Sequence, residues 1–236
     1  MITSKDNDKI KYLLKLHTKK YRDQFNAFLV FGDHAIEEAQ KQGYQLDFYT
    51  SNPDKPGEQI SGQLMKLISL TETPMDILGV AKKKQEQPYS KRILMLDGIQ
   101  DPGNMGTLIR SAVGFGFNTI IASLDSVDFY HERSIRATQG NLFYANLIKA
   151  PLKERILALK FLGYKIYVTS LSKAEDIKSV HPIEKCVVVL GNEGSGVSEA
   201  VLALADHRIK IKTSDIESLN VAMAGTIIMY EWQVSL

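Results

Sequence analysis

The sequence predicts an α/β protein in two parts, a small α/β module over residues 1–85 and a larger domain over 86–236 built on a parallel sheet. Three observations carry that prediction. From Ile93 onward, short apolar runs alternate with helical stretches, the pattern of a parallel sheet covered on both faces. The run Val187–Leu190 ends in Gly191-Asn192-Glu193-Gly194-Ser195-Gly196, a glycine-rich loop at the carboxyl end of a strand, where open α/β sheets bind ligands. Between the parts, AKKKQEQPYSKR (81–92) is polar and holds Pro88, so the boundary falls near residue 86.

In chain order, Asp6 or Asn7 can cap a helix whose Ile10, Leu13, Leu14 and His17 follow helical spacing, with Lys9, Lys11, Lys15 and Lys19 on the other faces. Phe28–Phe31 reads as a strand, His34–Gln42 as a helix closed by Gly43, Leu46–Thr50 as a strand and Gln59–Leu70 as a helix. In the second part, Ile93–Asp97 is a continuous apolar run suited to a strand buried on both faces. Helices follow over 105–114, 134–142, 151–162 and 195–204, and strands over 119–122, 165–169, 187–190 and 208–212. A terminal helix starts at Asn220.

Composition sets bounds. The chain has 236 residues, a formal net charge of +2 and an ordinary globular composition. No apolar run is long enough for a membrane span, and Asp6 and Asp8 stand where a secretory signal needs a basic and then an apolar region. The single cysteine, Cys186, excludes an intrachain disulfide and a multi-cysteine zinc site; it reads as inert core in a cytoplasmic protein. Charge is unevenly spread: residues 1–22 carry seven Lys/Arg and two Asp, a net +5, whereas 92–236 are neutral. That suits either a polyanion met from one end or a solvated helix face.

Three segments carry candidate chemistry. In Asp101-Pro102-Gly103-Asn104-Met105-Gly106-Thr107-Leu108-Ile109-Arg110, Asn104 can cap a helix or hold a ligand, and Gly106 admits close backbone approach. The loop 191–196 lacks the Lys-Ser/Thr of a P-loop and the G-x-G-x-x-G spacing, and Glu193 would repel phosphate, so a neutral or cationic ligand suits it better. In Glu217-Ser218-Leu219-Asn220, Ser218 and Asn220 can cap the last helix or bind a ligand.

Taken together and in this order, the segments resemble the SpoU (TrmH-type) branch of the SPOUT RNA methyltransferases. The matching residues are Asn104, Gly106 and Arg110; Gly191, Glu193, Gly194 and Gly196; and Ile211 with Ser218-Leu219-Asn220-Val221. Weaker phrases in the first part, Ile2-Thr3-Ser4 with Asn7, Phe28-Leu29-Val30 with Gly32, and Thr73-Pro74 before Ile77-Leu78, are similar to that family's substrate-binding domain. Two positions depart from the family pattern: Lys212-Thr213 replaces proline and methionine, and Ala222 replaces serine.

The resemblance implies a SPOUT domain with a C-terminal deep trefoil knot, preceded by a small α/β RNA-binding domain. It implies S-adenosyl-L-methionine as cofactor, held by the main chain at Gly191, Ile211 and Leu219, with Thr169–Leu171 supplying a further loop and no metal required. The reaction it implies is methyl transfer to a ribose 2′-hydroxyl of rRNA, 23S-type first, or of tRNA. By the same resemblance, Arg110 is expected to be the essential catalytic group, as base or as phosphate and charge holder, oriented by Asn104, Glu193, Ser218 and Asn220. Arg133 and Arg136 are secondary phosphate candidates. Family members are homodimers, and the apolar final helix (Val221, Met223, Ile227, Ile228, Tyr230, Trp232) can be a core or a dimer face. The rivals are a non-catalytic RNA-binding protein on the same fold and, without its glycine fingerprint, a nucleotide-dependent oxidoreductase.

Overall fold

The computed structural model describes residues 1–70, 75–216 and 218–233. Thr73, Pro74 and Glu217, each named above, lie outside the described residues. The chain forms two compact units, residues 1–85 with 130–143 and residues 86–129 with 144–236.

In the first unit, α1 (Asp8–Lys15) is capped by Asn7, whose side chain accepts from the Lys9 amide, and it buries Ile10 and Leu13. The single helix expected here is in fact two. Just past the C-terminus of α1, the carbonyls of its cap Leu16 and of His17 accept from the Arg22 guanidinium (2.9 and 2.7 Å), which is 3% exposed on α2 (Lys19–Phe25). Terminal carbonyls left without a partner would otherwise be costly. Then come β1 (Ala27–Phe31), α3 (Asp33–Lys41), β2 (Leu46–Thr50), β3 (Glu58–Gln59), α4 (Gly62–Ser69) and β4 (Ile77–Lys82). Their sheet runs β1-β4-β2-β3, with β4 antiparallel to both β1 and β2. Strand β4 begins before the polar stretch and continues into it at Ala81–Lys82; Gly79 and the adjoining lysines hid it from the sequence pattern.

The second unit opens with β5 (Arg92–Asp97), α5 (Pro102–Gly114) and β6 (Thr119–Ala122). The chain then rejoins the first unit for α6 (Glu132–Ala137), where Tyr130 and Phe143 set their rings 4.5 and 6.4 Å from that of Phe28. Tyr44 closes this aromatic group, 5.1 Å from Phe143, and burial pushes its hydroxyl up to about 12. Back in the second unit are β7 (Asn146–Lys149), α7 (Leu152–Phe161), β8 (Lys165–Thr169), β9 (Glu175–Asp176), β10 (Cys186–Gly191), α8 (Glu199–Leu202), β11 (His207–Lys210) and α9 (Val221–Glu231). Among the described residues they form a sheet in the order β7-β6-β5-β10-β8-β11-β9, with every pair parallel. The parallel sheet read from the alternation is therefore present. Strand β7 (NLIK) holds only two apolar residues and β9 spans only two residues, so neither stands out in the sequence.

Side chains from alternate positions of the central strands, such as Ile93, Met95, Ile166, Val168, Val187 and Val189, are fully buried. Each contributes about 1.5–3 kcal/mol on leaving water. On the opposite side, Gly225 of α9 is packed so closely that a Cβ would lie 2.5 Å from Leu108 and 2.6 Å from Leu190, which holds α9 tight against α5 and β10. Among the described residues no helix is long and apolar enough to cross a membrane.

Two outcomes follow from this packing. Burial pushes the Cys186 thiol up to about 11 although Arg92 lies beside it, so native protein at pH 8 should not react with a thiol reagent until it is unfolded. Asp206 accepts from the Ile166 amide (2.9 Å) and faces Lys160 (3.2 Å), joining the entry of β11 to β8. Burial works to raise this carboxyl, but the Ile166 amide and Lys160 together hold it below its ordinary value. Its contribution to stability is therefore complete above the unfolded-state pKa of about 3.9 and is lost as pH falls toward the lower folded value. Acid denaturation of Asp206→Asn should show a correspondingly flatter fall in stability below pH 5 than the parent.

Candidate functional site

At the carboxyl ends of β8, β10 and β11 lies a cleft of about 580 Å³, in the range of small-molecule sites. Most of its wall comes from four segments of the chain, Thr169–Ser172, Leu190–Val197, Ile209–Thr213 without Lys212, and Ser218–Val221 without Asn220, with Leu202, Ala224 and Ile228 supplying the rest. The strands β10 and β11 are not neighbours, because β8 lies between them, and its following loop completes the wall.

The glycine loop does not open directly into a long helix. Asn192 and Gly196 pair through both backbone hydrogen bonds (3.0 Å each), so the loop folds back on itself. At Gly191 the fold leaves no room: a Cβ would lie 2.2 Å from the Gly196 carbonyl carbon and the Val197 nitrogen. Gly196 itself sits at φ +72°, in the left-handed region that glycine adopts without strain. Asn192, which the sequence reading passed over, organises the turn. Its side-chain oxygen accepts from the Gly194 and Ser195 amides (2.9 and 3.0 Å), and its NH2 donates to the Gly98 carbonyl (2.8 Å). An Asn that opens a glycine loop is the signal that could have found it. Ser198 is tied in similarly, its amide donating to Asp97 Oδ2 (2.8 Å).

Asn104 is not the cap of α5. Asp101 takes that place and accepts from the Asn104 amide (2.8 Å), leaving the Asn104 side chain to work elsewhere. The Asn104 Nδ2 donates to Glu193 Oε1 (2.8 Å), and its Oδ1 accepts from Asn220 Nδ2 (3.1 Å). Because an ionised carboxylate only accepts, the Asn104 NH2 must face Glu193 and its carbonyl must face Asn220. Asn220 in turn caps α9, its Oδ1 accepting from the Ala222 and Met223 amides. One hydrogen-bonded row thus joins residues 104, 193 and 220.

Of the other sequence-read residues, Gly191, Ile211, Ser218 and Leu219 line the cleft. Arg110 does not join the row. It is exposed on α5 and makes no hydrogen bond or ion pair among the described residues. Arg133 and Arg136 belong to the first unit. The odd positions are accommodated: Ala222 is buried at the start of α9, and Lys212 is exposed.

Fold and site define an α/β domain with a nucleoside-sized cleft at the carboxyl edge of a parallel sheet, walled by the loops that follow its strands. The model of the SpoU rRNA Methylase family matches residues 91–230, and the chain belongs to that family: it is a methyltransferase. A second model, the MRM3-like substrate binding domain, matches residues 7–79. The chain is 32% identical over 241 residues to the 23S rRNA (guanosine(2553)-2′-O)-methyltransferase RlmP of Bacillus subtilis, covering 97% of each. It is also similar to the solved structure of a putative RNA methyltransferase of the TrmH family from Porphyromonas gingivalis (27% identity, TM-score 0.86, 97% and 98% covered). It shares its fold with the AdoMet-bound rRNA methyltransferase of Sinorhizobium meliloti (23% identity, TM-score 0.88, 98% and 95% covered).

Gly191→Ala should force the loop apart from residues 196–197, at a cost of about 2 kcal/mol. Calorimetry should show Tm lower by about 4–8 °C for a chain of this size. Cleft ligands should bind at least tenfold more weakly, whereas Gly194→Ala, at an exposed position, should be milder on both counts.

Proposed function

We propose that this chain transfers a methyl group from S-adenosylmethionine to a ribose 2′-hydroxyl of ribosomal RNA, of the 23S type, in the cytoplasm. The observation that carries the reading is the convergence of residues 191–197, 209–211 and 218–219 on one cleft, with Glu193 of its wall joined to Asn104 and Asn220 in a single hydrogen-bonded row. The cleft fits the cofactor in size, and Gly191, whose missing Cβ lets the loop close, leaves main-chain groups to face a ligand. When bound, S-adenosylmethionine supplies a methyl group on a sulfonium, which needs no metal to leave.

The chain's own residues do the rest. The backbone at Gly191, Ile211 and Leu219 holds the nucleoside end, with Leu190, Val221 and Ile228 as apolar cover. Glu193 places a carboxylate beside a cationic ligand, and its bond to Asn104 keeps it in position. Ser218 offers a hydroxyl to the nucleotide. Arg110 is the essential group. A guanidinium keeps its proton under conditions in which proteins fold, so its work is to hold phosphate and stabilise charge while the 2′-oxygen takes the methyl group and releases its proton to solvent water.

Arg110 is outside the row, and α9 exposes Met223, Ile227 and Tyr230 (62, 40 and 59%) at helical spacing along one stripe. This supports a homodimer through the α5–α9 face, with Arg110 of one protomer completing the cleft of the other. The same reading threads the chain beyond β11 through the loop after β8 as a deep trefoil knot, a rare exception among folds. Residues 1–85 serve as the RNA-binding domain, and 86–236 as the methyltransferase domain.

The test uses labelled S-adenosylmethionine with ribosomal and transfer RNA from a strain lacking the gene. Wild type should label ribose in the large ribosomal RNA, and label confined to transfer RNA would move the substrate there. Arg110→Ala should lower kcat at least 100-fold and leave cofactor affinity within about twofold. Full activity in that variant would remove Arg110 from the reaction.

A further inference from the structure

The first unit carries a charge pattern that the methyl-transfer reading leaves unused. Of the cations at residues 1–22, Arg22 is buried, Lys9 pairs with Glu58, and Lys19 shares Asp23 with Lys83. Lys5, Lys11, Lys15 and Lys20 are exposed and have no carboxylate partner among the described residues. Two of these flank an aromatic ring: the Lys15 and Lys20 ammonium groups lie 5.5 and 5.7 Å from the Tyr21 centroid. Tyr21 is stacked on Phe25 (6.1 Å, 14°), and Tyr12 meets Phe25 edge-on (5.1 Å, 68°). The row is half-buried, and Tyr12 and Phe25 pack on the unit's apolar core, so the rings are held in place before any partner arrives.

Such a surface selects its partner by chemistry. Among the described residues of α1 and α2 no large apolar side chain is exposed, so a protein helix would find no pocket or anchor there. What the corner offers is a flat π face and cations that lack counter-ions. A single nucleic-acid strand brings bases that stack on aromatic rings and phosphates spaced along its backbone. Ammonium groups held only by cation–π attraction can be drawn off to a phosphate, since that attraction is weak at exposed sites.

We propose that the α1–α2 corner is a stacking platform for an unpaired nucleotide of the RNA substrate, with Tyr21 taking the base and Lys15 and Lys20 its flanking phosphates. This rests on the reading of residues 1–85 as the RNA-binding domain and names the surface and the substrate feature it takes, a single-stranded segment. Tyr21 acts in binding and takes no part in methyl transfer.

The test measures binding of a labelled single-stranded oligoribonucleotide to the full chain over a salt series. Tyr21→Ala should weaken binding about tenfold, the size of one lost stacking contact, and Tyr21→Phe should restore it. Lys15→Gln/Lys20→Gln, which removes no buried atom, should lower the slope of log affinity against log salt by about 1.4, the share of two single-strand phosphates. S-adenosylmethionine affinity, measured on the same preparations, should be unchanged. RNA affinity and slope unchanged in both variants would overturn the proposal, even with wild type fully active. So would a loss of polyglutamate binding in the lysine variant with Tyr21→Ala silent on RNA, which would indicate an acidic protein partner. Wild type that binds the oligomer through Tyr21 but methylates no RNA would instead defeat the methyl-transfer reading and leave the platform standing.

Discussion

The second unit depends on a close backbone approach after β10. The glycine loop turns back so sharply that the main chain at residues 196–197 occupies the space where a side chain at 191 would begin. Nothing with a Cβ fits there without displacing backbone, and backbone displaced at that point carries Asn192 and Glu193 with it. Asn192 anchors the loop to the strand-end segment after β5, and Ser198 does the same through Asp97. A local steric fact thus fixes one wall of the cleft relative to another.

From that fixed wall a short polar row extends across segments distant in sequence. Glu193, Asn104 and Asn220 come from a loop, the first turn of α5 and the head of α9, and each amide has its orientation set by the next. The row is possible because Asp101 performs the capping that Asn104 would otherwise do. It is held by the packing behind it, where Gly225 lets α9 approach Leu108 of α5 and Leu190 of β10. Side-chain hydrogen bonds at an exposed rim are worth little alone; here they orient groups already brought together by apolar contact.

The first unit shows how a charge count becomes a surface. A net +5 in the sequence is reduced by ion pairs and by Arg22, which serves the C-terminal end of α1 instead of solvent. What remains is a smaller set of unpaired lysines around an ordered aromatic row. The return of residues 130–143 to this unit adds the rings of Tyr130 and Phe143 to its aromatic group, so the unit is not one continuous stretch of chain.

Much could be read without coordinates. Continuous apolar runs and their alternation with helices disclosed the parallel sheet, because a strand buried on both faces leaves no polar positions in its sequence. The glycines at 191, 194 and 196 and the Ser-Leu-Asn segment disclosed the ligand end of the sheet, because the backbone there needs residue types that are chosen locally. The helix break at Leu16–Thr18, strand β4, the strand order that puts β8 between β10 and β11, and the partner of each amide were not legible. Each is settled by contacts between residues far apart in the chain: a guanidinium reaching a helix end, a strand completed by two others, an asparagine freed from capping by its neighbour. Local sequence determines which elements can form; only their packing decides which side chains meet.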